Sequence, residues 1–176
     1  MLLDRTGRKV KILEVGEEQW KAVMQEIHRR IIELLTFVEE FLKTDSSERI
    51  CAGLYTFAIE EYGKLLLLKA YKPSNGKIQI KYDKEFTNHT AKFNKAFQNL
   101  PEECKRLYKG VFDPKIFDRG IFDTDEIAEL YARLAIFYTD FEDLSGRIKS
   151  LLSVDRRLLQ TAITSLKSIV LKIKIP

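Results

Sequence analysis

The segment from Ile50 to Tyr71 predicts a helix that is apolar on nearly every side. At about 100° per residue, a first apolar face contains Ile50, Leu54, Phe57, Ala58, Leu65 and Leu68, and a second contains Tyr55, Ile59, Tyr62 and Leu66. A narrow stripe is left between them, formed by Gly53, Thr56, Glu60, Gly63 and Lys64. A helix with so little polar surface must lie at the centre of a helical bundle.

Two adjacent carboxylates, Glu60 and Glu61, interrupt this central helix. Glu61 falls in the middle of the first apolar face, where an unpaired charge would cost several kcal/mol. We therefore expect a cation from another helix, Arg133 or Lys92, to meet Glu61. Glu60 lies on the polar stripe, four residues before Lys64, which is a favourable spacing for an ion pair. In the alternative interpretation, Glu60 and Lys64 are a solvated surface pair and Glu61 is an internal strut.

Gly63 lies in the middle of the same helix, where glycine costs about 0.5–1 kcal/mol relative to alanine. This cost predicts that another element packs closely against Gly63.

Helical periodicity extends over most of the chain. Residues 17–44 predict a long amphipathic first helix, and the second helix ends in a turn over residues 72–76. Further helices are predicted from Phe86 to Leu100, from Pro101 to Tyr108, after Asp123 and after Gly146; residues 77–82 predict an extended connector and no sheet. The fold class is all-α: one domain over residues 1–176, an up-and-down bundle of four to five long helices. Residues 1–16 form an N-terminal extension and residues 110–123 a loop.

Composition excludes several classes of protein. With 45% hydrophobic and 32% charged residues, the chain resembles neither disordered nor membrane proteins. It has no apolar run of about 18 residues and no signal peptide, so we expect a cytoplasmic protein without a membrane partner. Cys51 and Cys104 match no metal or redox spacing, and Cys51 is expected to be a buried free thiol. No metal signature or glycine-rich phosphate loop occurs, so we expect no metal site and no cofactor. The net charge of +4 permits a nucleic-acid partner without requiring one.

A second constellation consists of His89 and Lys92, three residues apart on the third helix, with Lys95 nearby. They can share a face, and a neighbouring ammonium would favour the neutral imidazole that acts as a base. In the alternative interpretation, Asn88 and His89 form the N-cap region and Lys92 is solvated.

Two more groups of polar residues lie beside apolar helix faces. His28, Arg29 and Arg30 form a basic cluster on the first helix, which could contact phosphates or be ordinary surface charge. Arg133 and Asp140 lie two turns apart on the fourth helix, and Tyr138 projects to another side.

The order of these motifs resembles that of the AbiV-type abortive-infection family, which is grouped with the HEPN superfamily of helical bundles. The family pattern is Ala-x-Glu-Glu-x-Gly-Lys, present here at residues 58–64, then His-x-x-Lys at 89–92, then an arginine leading into an aromatic-rich Tyr-x-Asp at 133–140. The resemblance implies a HEPN-like fold, a homodimer and a prokaryotic antiviral role directed at RNA or translation. A further partner protein cannot be named from these motifs.

Many HEPN domains are metal-independent ribonucleases whose motif is an arginine followed four to six residues later by a histidine. No arginine precedes His89 or His28 at that spacing, and Tyr138 stands at the corresponding position after Arg133. A ribonuclease site here would use His89 as the base, with Lys92 and Arg133 stabilising the phosphorane charge. The polar network that surrounds these residues would consist of Glu60, Glu61, Lys64, Tyr138 and Asp140.

Two other functions are compatible with the same residues. In the first, the chain is a non-catalytic helical interaction module, and the buried polar network is purely structural. In the second, a nucleotide or another anion binds near Lys64 and Lys92 and regulates the protein.

Overall fold

The described part of the chain is mostly helical. A computed structural model describes residues 11–44, 48–82, 86, 88–111 and 154–175. Its elements, in chain order, are β1 (Lys11–Gly16), α1 (Glu17–Lys43), α2 (Glu48–Lys69), β2 (Lys77–Tyr82), α3 (His89–Asn99), α4 (Glu102–Val111) and α5 (Arg156–Leu171). The predicted fourth helix and nearly all of the predicted 110–123 loop lie outside the described residues; at its start, Gly110 and Val111 are helical.

Helix α1 is amphipathic, as its three-and-four spacing predicts. Its buried stripe consists of Trp20, Met24, Ile27, Ile31, Leu35, Val38 and Leu42. Trp20 also satisfies a backbone group of the next helix, because its indole Nε1 donates a hydrogen bond of 3.1 Å to the carbonyl oxygen of Leu68. This bond ties the beginning of α1 to the end of α2.

Helix α2 is the central element that its composition predicts. It packs against α1, α3 and α5, and its side chains are buried on several sides of the helix. Ile59 and Leu65 are fully buried, whereas Ile50 and Phe57 keep 46% and 36% of their surface. The burial that the helical wheel predicts for the first apolar face is therefore found only in part: Ala58 and Leu65 of that face are fully buried, whereas Ile50 and Phe57 are exposed.

A two-stranded antiparallel sheet joins β1 and β2, and the prediction of a connector without a sheet is wrong. The register places Leu13 opposite Ile80 and Val15 opposite Ile78. Ile78 and Ile80 are buried, and Leu13 and Val15 pack against the same core. Two alternating segments that are too short to form a sheet alone are stabilised by packing one face on the helices.

The predicted turn before β2 is present. Asn75 and Gly76 both have positive φ angles, 52° and 72°, and Ser74 and Lys77 pair across them. Asn-Gly is the dipeptide that favours such a primed turn. The carbonyl of Gly76 accepts a hydrogen bond of 3.0 Å from the first amide of α1, at Glu17.

An aromatic cluster holds α3 and α4 against α2. The ring of Tyr108 lies 5.4 Å from that of Phe93, 5.7 Å from that of Phe97 and 6.1 Å from that of Tyr55, centroid to centroid. The aromatic face of α3 is thus a core face, and the helix begins at His89 and not at the predicted Phe86.

Helix α5 completes the described core, and hydrogen bonds of two side chains hold its N-terminal end. Asp155 caps it, because its side-chain oxygen accepts hydrogen bonds from the amides of Arg157 and Leu158. The guanidinium of Arg156 donates to the carbonyls of Leu42 and Thr44 at the end of α1, and to Glu48 at the start of α2. One side chain thus links three helix ends.

Within the residues described, no helix combines the length and the apolar character that crossing a membrane requires.

Candidate functional site

The backbones of α2 and α3 approach closely at Gly63. A Cβ atom at this position would lie 2.7 Å from the carbonyl carbon of Lys92, even closer to its oxygen, and 3.2 Å from the amide nitrogen of Ala96. No larger residue fits without moving α3. The close packing predicted at Gly63 is confirmed, and α3 is the element that packs there.

Glu60, one turn before Gly63, meets the first residue of α3. Its Oε2 lies 2.8 Å from Nδ1 of His89. The two side chains differ sharply in exposure, at 3% for Glu60 and 57% for His89. The site therefore has a carboxylate shielded between helices and an imidazole that is bound to it on one side and open to solvent on the other.

The structure exchanges the roles predicted for the two glutamates. Glu61 is the more exposed of the two, with 32% of its side-chain surface open to solvent, and it accepts a hydrogen bond of 3.4 Å from Nζ of Lys64. The predicted pair of Glu60 with Lys64 is wrong, and so is the prediction that Glu61 points into the core. The alternative interpretation fails as well, because it also makes Glu61 the internal residue.

The physical reason lies in the small residues that flank Glu60. Gly53, Thr56 and Gly63 share its stripe on the helical wheel, and all three are buried. Small side chains allow a neighbouring helix to approach the α2 backbone, so this stripe faces α3. The small residues on the stripe of Glu60 therefore indicate which glutamate is buried. This indication is stronger than the one from the apolar residues around Glu61.

Lys92 lies one turn after His89 and is 8% exposed. The interpretation of Lys92 as a solvated side chain is therefore wrong. Asn88 does occupy the N-cap position, because its carbonyl accepts the hydrogen bond of the Lys92 amide at 3.3 Å. The structure thus brings Glu60, His89 and Lys92 to one interface between α2 and α3, with Lys64 and Glu61 on the outer side of α2.

His28, the other histidine, has a structural contact. Its Nε2 lies 2.9 Å from the carbonyl oxygen of Val170, in the last turn of α5. Its neighbours Arg29 and Arg30 both bind Glu26, and Arg29 also binds Glu33. Hydrogen bonds from Arg29, and to a smaller extent from Arg30, lower the pKa of Glu26 to about 2. The predicted basic cluster is thus largely neutralised by acids of its own helix.

The remaining predicted site residues, Arg133, Tyr138 and Asp140, lie outside the described residues. Among the side chains that are described, no group of three or more His, Cys, Asp or Glu residues could hold a metal ion. The chemistry available at the described site is therefore that of a carboxylate, an imidazole and an ammonium: proton transfer and the binding of negative charge.

Comparison with known proteins identifies no relative: no protein family, curated protein or solved structure matches this chain.

Proposed function

We propose that this chain is a cytoplasmic antiviral protein of the AbiV type, HEPN-like in fold, that acts on RNA as a metal-independent ribonuclease. One observation supports this proposal above the others: the buried carboxylate of Glu60 is bonded to the exposed imidazole of His89. An imidazole that is oriented by a shielded carboxylate and open on its other side is the arrangement that general acid–base catalysis uses.

RNA cleavage without a metal needs only such groups. The imidazole of His89 removes the proton of a ribose 2′-hydroxyl, and that oxygen attacks the adjacent phosphorus. The bond between phosphorus and the 5′-oxygen breaks, and the leaving oxygen takes up a proton. The products are a 2′,3′-cyclic phosphate and a 5′-hydroxyl. Lys92, one turn after His89, and Arg133 supply positive charge for the phosphorane.

The proposal includes a homodimer, as the resemblance to HEPN domains implies. Light scattering coupled to size-exclusion chromatography measures this directly. A mass of about twice the 20.5 kDa of the chain supports the dimer, and the mass of one chain contradicts it.

An RNA cleavage assay tests the enzymatic part. Labelled single-stranded RNA is incubated with excess protein and a chelator, using wild type, His89→Ala and Arg133→Ala. His28→Ala is the matched control, because it removes the other histidine, whose ring is bonded to the backbone. We expect a loss of about 10²–10⁴-fold for His89→Ala and wild-type activity for His28→Ala.

A second RNA substrate sharpens the test. Replacing the 2′-hydroxyl at the cleavage site by hydrogen should abolish cleavage, because the nucleophile is gone. Equal cleavage by wild type, His89→Ala and Arg133→Ala would show that the activity does not come from this site.

The second candidate is a non-catalytic interaction module. It is favoured by the location of the Glu60–His89 bond, which links α2 to α3 and could serve the fold alone. This function predicts no RNA cleavage by the wild type, together with a lower unfolding temperature for His89→Ala. Both quantities are measured on the same preparations.

A further inference from the structure

The two histidines of the chain make hydrogen bonds through different ring nitrogens. His89 uses Nδ1, which lies 2.8 Å from Oε2 of Glu60. His28 uses Nε2, which lies 2.9 Å from the carbonyl oxygen of Val170. An ionised carboxylate and a carbonyl can only accept hydrogen bonds, so the bonded nitrogen is the one that carries the proton.

We propose that Glu60 is a positioning residue that holds neutral His89 in the Nδ1–H tautomer. Nε2 is then the nitrogen with the free lone pair, and it is the atom that takes the proton from the substrate. This role in catalysis rests on the proposed ribonuclease function, whereas the tautomer itself does not.

The difference in burial between the two side chains explains why Glu60 orients His89. The side chain of Glu60 is 3% exposed, so water does not compete effectively for its bonded oxygen. The imidazole is 57% exposed, so the part of the ring away from Glu60 remains accessible to a substrate. A histidine in water exchanges freely between its two tautomers, and a fixed acceptor on one nitrogen selects one of them.

Gly63 sets the distance between α2 and α3 at which Glu60 and His89 form their hydrogen bond. Gly63 and Lys92 each follow a member of the pair by three residues, and the α2 and α3 backbones touch there. A side chain at position 63 would hold the helices apart and lengthen the path from Glu60 to His89. The bond therefore depends on a close approach that only glycine permits.

Nuclear magnetic resonance of protein labelled with ¹⁵N-histidine tests the tautomer directly. The spectrum is recorded at a pH where both rings are neutral, and two-bond correlations show which nitrogen of each ring is protonated. We expect the proton of His89 on Nδ1 and that of His28 on Nε2. His28, which is expected in the Nε2–H tautomer, thus serves as an internal reference for the Nδ1–H tautomer of His89.

The variant Glu60→Ala shows whether Glu60 is the cause. We expect His89 to lose its Nδ1–H signature and His28 to keep its own. Glu39→Ala is the matched control: it removes a glutamate that links α1 to α5 through Lys167, far in sequence from both partners. A wild-type His89 in the Nε2–H form, or one unchanged in Glu60→Ala, would overturn the proposal. If Glu60→Ala does not fold, the wild-type spectrum still tests the tautomer.

Kinetics on RNA then test the role in catalysis. We expect Glu60→Ala to lower kcat about 10²-fold with little change in KM, because the ring is no longer held in one tautomer and orientation and the imidazolium formed in the reaction loses its carboxylate partner. Glu39→Ala should retain wild-type kcat. An unchanged kcat in Glu60→Ala would overturn the positioning role.

Failure of this inference and failure of the proposed function can be told apart. An Nδ1–H tautomer that depends on Glu60, in a protein that cleaves no RNA, contradicts the ribonuclease and leaves the tautomer assignment intact. Cleavage that depends on His89 while its tautomer is independent of Glu60 contradicts the inference alone.

Discussion

Gly63 of α2 lies in direct contact with the backbone of Lys92 in α3. A Cβ atom at position 63 would be 2.7 Å from the Lys92 carbonyl carbon, a separation that real Cβ atoms do not show. The obstacle is backbone, so it cannot rotate away as a flexible side chain could. The distance between the two helices that carry Glu60 and His89 is thus set by a missing side chain.

The first prediction is that Gly63→Ala destabilises the protein. Alanine is the better helix former by about 1 kcal/mol, but forced separation of packed elements costs about 1–3 kcal/mol. The free energy of unfolding, from urea titration followed by circular dichroism, should therefore fall by as much as about 2 kcal/mol. Gly16→Ala is the control, since an added Cβ there meets no atom within 4 Å apart from those of the residue itself and its chain neighbours. A Gly63→Ala protein more stable than wild type by about 1 kcal/mol, as helix propensity alone predicts, would contradict this packing.

The second prediction concerns Arg156, whose guanidinium donates to the carbonyls of Leu42 and Thr44 and to the carboxylate of Glu48. Arg156→Ala should lower the free energy of unfolding by about 1–2 kcal/mol, because the bonds are charge-assisted but partly exposed to solvent. Arg156→Lys should recover only part of this, since an ammonium lacks the planar fork.

Arg157→Ala is the control for Arg156, because the neighbouring side chain is exposed. Equal urea midpoints for the two alanine variants would show that the link between the three helix ends adds no stability.

The third prediction is a pH dependence centred on Glu39. Its hydrogen bond from Lys167, at 2.8 Å, lowers the pKa of Glu39 below its ordinary value of 4.5. A carboxyl whose pKa is lower in the folded state stabilises the fold above its unfolded pKa, and this stabilisation is lost as the pH falls through the folded value. Glu39→Gln should therefore be less stable than wild type at pH 7, by about 0.5–1 kcal/mol.

Thermal unfolding of wild type and Glu39→Gln at a series of pH values measures this effect. The difference between the two proteins should shrink progressively below about pH 4.5. A difference that is constant from pH 7 to the acid limit would show that charge on Glu39 plays no part.

The fourth prediction is that both thiols are unreactive in the folded protein. Cys51 and Cys104 are free and buried, and burial raises the pKa of the Cys104 thiol, with a smaller contribution from Glu103. The thiolate is the reactive form, so alkylation should be slow at pH 8 and become rapid in denaturant. Mass spectrometry after a timed exposure to iodoacetamide counts the labelled sites. Rapid labelling of either cysteine without denaturant would contradict its burial.

Long helices with a regular apolar stripe were predictable from the sequence. Helix α1 was predicted over residues 17–44 and runs from Glu17 to Lys43. The last helix was predicted after Gly146, and its apolar residues Leu159, Ile163, Leu166 and Val170, at three- and four-residue spacing, are all buried. Such elements follow from local periodicity, because each buries one stripe regardless of which partner it meets.

The partners of the polar residues were not predictable in the same way. Glu60 and His89 were both singled out, but in separate groups, because a helical wheel of α2 contains no information about where α3 packs. Gly63 predicted that another element packs closely against α2, but it did not predict that this element is α3. The buried free thiol at Cys51, which depends only on its surroundings within one helix, is confirmed.

The sheet was missed for a related reason. Each strand is six residues long, and its partner lies beyond two complete helices. Alternation in residues 77–82 was visible, but the complementary alternation in Lys11–Gly16 was assigned to an extension. Strand pairing over such a separation is a tertiary event that local patterns do not report.

The pairing of β1 with β2 has a consequence for the order in which the chain folds. Its innermost pair, Gly16 with Lys77, encloses all of α1 and α2. Closing so long a loop in an unfolded chain is entropically unfavourable, but two helices already docked side by side bring its ends together at little further cost. During refolding, protection of the strand amides against hydrogen exchange should thus appear after that of the helix amides. The sheet then forms last and closes a pair of helices that are already docked.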